Sequence, residues 1–324
     1  MGIGIVGIGH ALPEKIITNR DLEKMIKTSD EWIVSRTGIK ERRVAPPNSG
    51  TSLLATEAAK KALSGAGCQA SDIDLLIVAT TTPDMPIPSC ACFVQKQINA
   101  SKAVCFDLAA ACAGFVFALS TAQQFLQTGT YQTALVIGAE QISPYIDWKD
   151  RTTCILFGDA AGACIVKRVE GKGIIASDLG SDGNYAELIR IPGGGSKRPA
   201  SAETVKNGDH FLKMNGSEVF KLAVRGMVGS IKSLLKKTNI DAKDVVCIIP
   251  HQANMRIIDA VASRLNVEKG KLFVNLDKYG NTSAASIVLA LSEAHEQKII
   301  RKGDLVILTT FGAGLVWGSM ILEW

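Results

Sequence analysis

"KAVCFDLAAACAGFVFAL", residues 102–119, runs from a strand-like apolar stretch across three alanines to Cys112, after which the spacing turns helical. A second stretch, "KLFVNLDKYGNTSAASIVLAL" (271–291), repeats that order of strand, short turn and helix rich in small residues. The offset of 169 sets Asn281 opposite Cys112. Two further pairs fall into step. "SDIDLLIVAT" (71–80) resembles "KDVVCIIPHQ" (243–252) at an offset of 172, and "TALVIGAE" (133–140) matches "GDLVILTT" (303–310) at 170. Three matched segments in one order imply a duplicated αβ unit. Continuous apolar strands separated by helices predict parallel sheets covered on both faces.

The expectation is therefore an α/β chain of two similar halves, 1–172 and 173–324, joined within the charged and glycine-rich stretch 166–184. "QISPYIDWKDRTTC" (141–154) has no counterpart in the second half. "IPGGGSKRPASAETVKNGDH" (191–210) is long and polar enough for a lid or surface flap.

Composition narrows the classes. A chain of 324 residues that is 47% hydrophobic can bury a large core without staples. Its longest apolar run, Leu108 to Leu119, falls short of the roughly 18 residues a membrane span needs, and no basic leader precedes the first apolar stretch. A cytoplasmic protein is expected. The eight cysteines are scattered through apolar segments without a disulfide framework, and Cys90-x-Cys92 has no second Cys/His pair for a metal. A net charge of +5 without a basic run does not point to nucleic acid. Gly2, Gly4 and Gly7 formally match the dinucleotide fingerprint, but they lie inside the first strand, where no helix opens to receive a pyrophosphate.

Cys112 falls at a strand-to-helix elbow, on a helix running to about Gln127. Free N–H groups and partial positive charge at such a helix start favour a thiolate, so a lowered thiol pKa is expected. Its own backbone N–H can face an oxyanion. A buried structural cysteine is the alternative. The duplication weighs against it, because matching halves bring His251, at the end of "CIIP", and Asn281, in the equivalent elbow, to the same strand ends.

With "DLAAACAGF" (107–115), "PHQAN" (250–254), "YGNTSAAS" (279–286) and "FGAGLVWGS" (311–319) together, the chain resembles the thiolase-like condensing enzymes, and most closely the β-ketoacyl-acyl-carrier-protein synthase III group. The resemblance covers nearly the whole chain and implies five αβαβα layers in a homodimer. It also implies decarboxylative condensation of an acyl-CoA primer with malonyl-acyl-carrier protein. No cofactor is implied, since acyl-CoA is a substrate. Cys112, His251 and Asn281 would be catalytic, and the N–H groups of Cys112 and Ala313 would form the oxyanion hole. Trp32 and Arg151 would flank the adenine of CoA, with Arg36 near its phosphates, Asn254 on the pantetheine tunnel and Ile87 at the primer pocket, sometimes from across the dimer.

Lys221, Arg256 and Gln252 would meet the acidic carrier protein. Lys221, Arg225, Lys232 and Lys236 share one face of a helical segment whose other face is apolar. A Thr28-x-x-Glu31 capping box is expected to open a short helix ended by Gly38, placing Trp32 and Arg36 on one side. Departures from the usual pattern are Ala160 in "FGDAAGA", Val288, and Ser217 in "MNGSEVF"; they bear on substrate preference. A cysteine thioesterase, a condensing enzyme with another primer or extender, and a catalytically silent assembly protein remain open at this point.

Overall fold

The computed structural model describes residues 1–324. Strands β1 (Gly2–Ala11), β2 (Leu75–Ala79), β3 (Val104–Leu108), β4 (Thr133–Glu140) and β5 (Ala160–Val169) form one sheet in the order β1-β5-β4-β2-β3. Strands β6 (Ile174–Ser181), β7 (Val245–Pro250), β8 (Leu305–Gly312) and β9 (Val316–Glu323) form a second, ordered β7-β8-β9-β6. The two orders match when β1, β5, β4 and β2 are set against β6, β9, β8 and β7. The counterpart of β3 is reduced to a bridge between Ile248 and Leu272.

The sheets are mixed rather than wholly parallel. β2 runs parallel to β3 and β4, and β7 to β8, whereas β5 and β9 run against their neighbours. Between β8 and β9 only residues 313–315 intervene, and so short a turn can only reverse the chain.

Seven helices complete the layers: α1 (Asp30–Thr37), α2 (Thr51–Ala66), α3 (Cys90–Ile98), α4 (Gly114–Gln127), α5 (Gly216–Thr238), α6 (Met255–Leu265) and α7 (Ala285–Glu296). Helices α2 and α3 cover the outer face of the first sheet, and α5 lies on the outer face of the second with α6 beside it. Between the sheets lie α4 and α7. Every residue of α7 from Ala285 to Ala294 is buried, its polar members Ser286, Ser292 and Glu293 each held by a hydrogen bond. Phe115, Leu119, Ile287 and Leu291 there pack against Ile77 and Val136 of one sheet and Leu308 and Met320 of the other.

Glycines let these layers approach. A Cβ on Gly138 of β4 would lie 2.4 Å from the Ala284 carbonyl oxygen at the start of α7, and one on Gly7 would lie 2.5 Å from the Ala62 carbonyl oxygen of α2. Gly7 thus serves strand-to-helix packing, while Gly2 and Gly4 let β1 approach the backbone and side chains of residues 169–173. Residues 191–210 form an exposed excursion with a short helix, Ala202–Lys206, tied by an Arg198–Asp209 ion pair of 2.7 Å. No helix is long and apolar enough to cross a membrane.

Candidate active site

Two elbows face one cavity. Before Cys112, Ala111 adopts φ 45°, and at the matched place before Asn281, Gly280 adopts φ 65°. A left-handed alanine is uncommon and costs of order 1 kcal/mol, so the turn that presents Cys112 is held by its surroundings. Gly312 supplies part of that hold, since a Cβ on it would lie 2.8 Å from the Cys112 nitrogen. The N–H of Ala113 closes onto Ala110 O, while those of Cys112 and Ala313 have no protein acceptor. Both residues line the cavity.

His251 follows β7 and is only 4% exposed. Its backbone N–H donates to Thr309 O (2.8 Å), and its Nδ1 pairs with Ser286 Oγ (2.6 Å). Burial draws the imidazole down to about 4, so it is neutral at pH 7. The Asn281 backbone is fixed by N–H donation to Leu156 O (2.8 Å), and its carbonyl accepts from Gly158 (3.1 Å). Its Oδ1 accepts the Ser283 N–H at 2.9 Å, which leaves the amide NH2 for the cavity.

Cys112 Sγ lies 3.4 Å from Ser283 Oγ. The expected depression of its pKa is not found. Burial pushes the thiol up to about 11, outweighing the Ser283 hydrogen bond that favours the thiolate, and the charge of Glu140 adds to the rise. Desolvation of the charged form is the largest of these causes.

The cavity encloses ≈ 800 Å³, most of its lining residues are hydrophobic, and Cys112, His251 and Asn281 line it together. Trp32 and Arg36 line it from α1, and Lys221 and Arg256 from α5 and α6. The Arg151 guanidinium sits 4.5 Å from the Trp32 ring centroid and Arg36 5.9 Å from it. Trp32 and Arg36 do share a side of α1. The cap, however, is Ser29, whose hydroxyl accepts the Trp32 N–H, and the Thr28–Glu31 box does not form. Both residues can cap, and the chain bends one position later than expected. Asn254 also lines the cavity, with its side chain spent on Arg36 O (3.1 Å) and the Arg256 N–H (2.9 Å) at the start of α6.

One expectation fails. Gln252 is 1% exposed, its amide divided among Pro250 O, Phe273 O and the Asn275 N–H, so it braces the His251 loop from within and offers nothing to a carrier protein. Ile87 is 84% exposed and does not line the cavity of its own chain, because the proline-flanked loop that carries it points away from the fold.

Three site groups escaped the sequence reading: Ser283, Ser286 and Glu140. Glu140 ends β4 and is fully buried, accepting hydrogen bonds from Thr80, Thr81, Thr82 and Ser283. The signal was a lone acid closing the apolar strand "TALVIGA".

Family models agree with this geometry. Residues 106–183 match 3-oxoacyl-[acyl-carrier-protein] synthase III and residues 235–324 match the C-terminal part of the same family. A β-ketoacyl-[acyl-carrier-protein] synthase III of Caldanaerobacter subterraneus subsp. tengcongensis is 53% identical over 99% of this chain and 97% of that protein. The corresponding protein of Natranaerobius thermophilus is 52% identical over 99% and 98%. Among solved structures, 3-oxoacyl-[acyl-carrier-protein] synthase III from Aquifex aeolicus superposes with a TM-score of 0.92 at 45% identity, covering 100% of both chains.

Proposed function

The chain belongs to the 3-oxoacyl-[acyl-carrier-protein] synthase III family, and from that premise we propose how its cavity carries out the condensation that initiates fatty-acid synthesis. It is a condensing acyltransferase. Acyl-CoA is the first substrate, with Trp32, Arg151 and Arg36 at its nucleotide end and Asn254 along its pantetheine arm. Cys112 attacks the thioester carbonyl, and the unoccupied N–H groups of Cys112 and Ala313 receive the oxyanion of the tetrahedral intermediate. CoA departs and the acyl group stays on sulfur.

Malonyl-carrier protein then docks at the Lys221–Arg256 side, and its thioester takes the place of CoA. Loss of carbon dioxide leaves an enolate, whose oxygen is held by His251 Nε2–H and the Asn281 amide. With the Ser286 hydroxyl donating to Nδ1, the imidazole carries its proton on Nε2, and its low pKa keeps it a neutral donor. The carbanion attacks the acyl-cysteine and forms the carbon–carbon bond. No cofactor enters this scheme. The observation that carries the reading is a single apolar cavity reaching from the Trp32 rim to Cys112, His251 and Asn281.

A homodimer is part of the proposal. The edge strand β3 has no partner on its outer side, Val104 on it is 49% exposed, and the loop ahead of α3 exposes Met85 and Ile87. An antiparallel pairing of two β3 edges would cover them and offer Ile87 to the neighbouring subunit's primer pocket. The eight unbonded thiols suit a reducing cytoplasm.

Incubation with acyl-CoA tests the chemistry. One acyl adduct should form, mapped by peptide mass to Cys112, with CoA released once per site and turnover resuming only when malonyl-carrier protein is added. Continuous CoA release without carrier protein would make the chain a thioesterase, and an adduct on Cys90 would remove Cys112 from its role.

A further inference from the structure

Beneath the nucleophile lies a carboxylate that the scheme above does not use. Five donors converge on Glu140: the Thr80 hydroxyl (3.3 Å), the Thr81 N–H (3.2 Å) and hydroxyl (3.1 Å), the Thr82 hydroxyl, and the Ser283 hydroxyl (3.2 Å). So many donors suit an ionised, acceptor-only carboxylate. They are hydroxyls and one amide, with no cation among them. Ser283 stands between this carboxylate and the reacting sulfur, its Oγ 3.2 Å from Glu140 Oε1 and 3.4 Å from Cys112 Sγ. Its backbone, at φ 49°, is fixed by N–H donation to Asn281. An unbroken path Sγ–H···Oγ–H···Oε1 results.

We propose that Glu140, acting through Ser283, accepts the Cys112 proton when the enzyme is acylated. The inference rests on Cys112 being the acylated residue. As sulfur bonds to the thioester carbon, its proton passes to Ser283 Oγ and the Ser283 proton passes to Glu140. When the tetrahedral intermediate collapses, the carbon–sulfur bond to CoA breaks, the CoA thiolate leaves with the electron pair, and the proton held by Glu140 returns by the same path to give CoA thiol. Glu140 ends as it began.

Burial supplies both halves of the need: it keeps the thiol protonated and raises the carboxyl, making Glu140 a stronger base than a surface glutamate. The other titratable groups facing the pair stay silent near neutrality. His251 is neutral above about 4, and Tyr145 and Cys90 are pushed up by burial.

The test is single-turnover CoA release from pH 6 to 9.5 in wild type, Glu140→Gln and Ser283→Ala, with melting temperatures recorded for each. Ser283→Ala removes the relay, keeps four donors on Glu140 and spares the N–H that orients Asn281, so it decides the matter if Glu140→Gln does not fold. The wild-type rate is expected to be nearly independent of pH above neutrality. Each variant should be slower at pH 7 by about 10²-fold and should climb about tenfold per pH unit as bulk hydroxide takes over, and the double variant should be no slower than the worse single one. Unchanged rates and profiles would overturn the proposal. So would a faster Glu140→Gln, the result if the carboxylate merely repels the thiolate. A wild type that neither releases CoA nor acquires an adduct on Cys112 would instead overturn the acylation reading beneath it.

Discussion

In the proposed mechanism His251 enters the reaction neutral, and that sets a pH range for the second half-reaction. An imidazole at the ordinary 6.5 would be about 90% protonated at pH 5.5, whereas one drawn down to about 4 by burial keeps its neutral form there. A protonated imidazole would deliver its proton to the enolate carbon and waste the extender. Decarboxylation of malonyl-carrier protein should therefore show no His-controlled inflection between pH 5 and 7.5, measured as carbon dioxide release. A step centred near 6.5 would mean that His251 is solvated in the working enzyme. Cys112, His251 and Asn281 were legible because each falls in a matched segment of a duplicated sequence, a position readable one residue at a time. Glu140 and Ser283 were not, since their partnership spans 143 residues and exists only after both halves fold. Gln252 shows the converse: standing in a telling motif, it gives no sign in sequence of which way its amide turns.

Helix α5 carries Lys221, Arg225, Lys232 and Lys236 exposed on one side and Val224, Met227, Ile231 and Leu234 buried on the other, as its periodicity foretold. Lys221 also pairs with Glu218 at 2.8 Å, an exposed contact of small worth that a stronger acidic partner can replace. Arg256 stacks its guanidinium 5.8 Å from the Phe220 ring, beside the cavity mouth. Lys221→Glu with Arg256→Glu should raise the KM for malonyl-carrier protein about tenfold at low ionic strength. The loss should be concentrated in the carrier-dependent half-reaction and shrink in 0.5 M salt, where the screening length is only a few Å. Equal losses in both half-reactions would indicate a damaged helix. The repeat of strand, turn and helix was readable along the chain, but the antiparallel strands β5 and β9 were not. Apolar runs buried on both faces look alike in either direction, and only connection length tells them apart. The cap of α1 was misplaced by one residue for a similar reason, since Thr28 and Ser29 are both capable of it.

Across the whole molecule, the duplicated halves divide the chemistry. Cys112 sits on the first and His251 and Asn281 on the second, and each half also reaches into the other's elbow. Glu140 contacts Ser283, and its matched residue Thr310 donates to the Cys112 carbonyl at 3.0 Å. The primer pocket extends the principle to a second chain if Ile87 crosses the dimer. Ile87→Phe should then narrow the primer range towards acetyl-CoA, read as kcat/KM across straight and branched acyl-CoAs. An unchanged profile would leave Ile87 as a surface residue. The open edge of β3 carries a further meaning. In the proposed dimer the pairing of two such edges obeys mass action: at high dilution the subunits would part, the pocket wall would be lost with them, and catalytic competence would become a function of how many copies share the same volume.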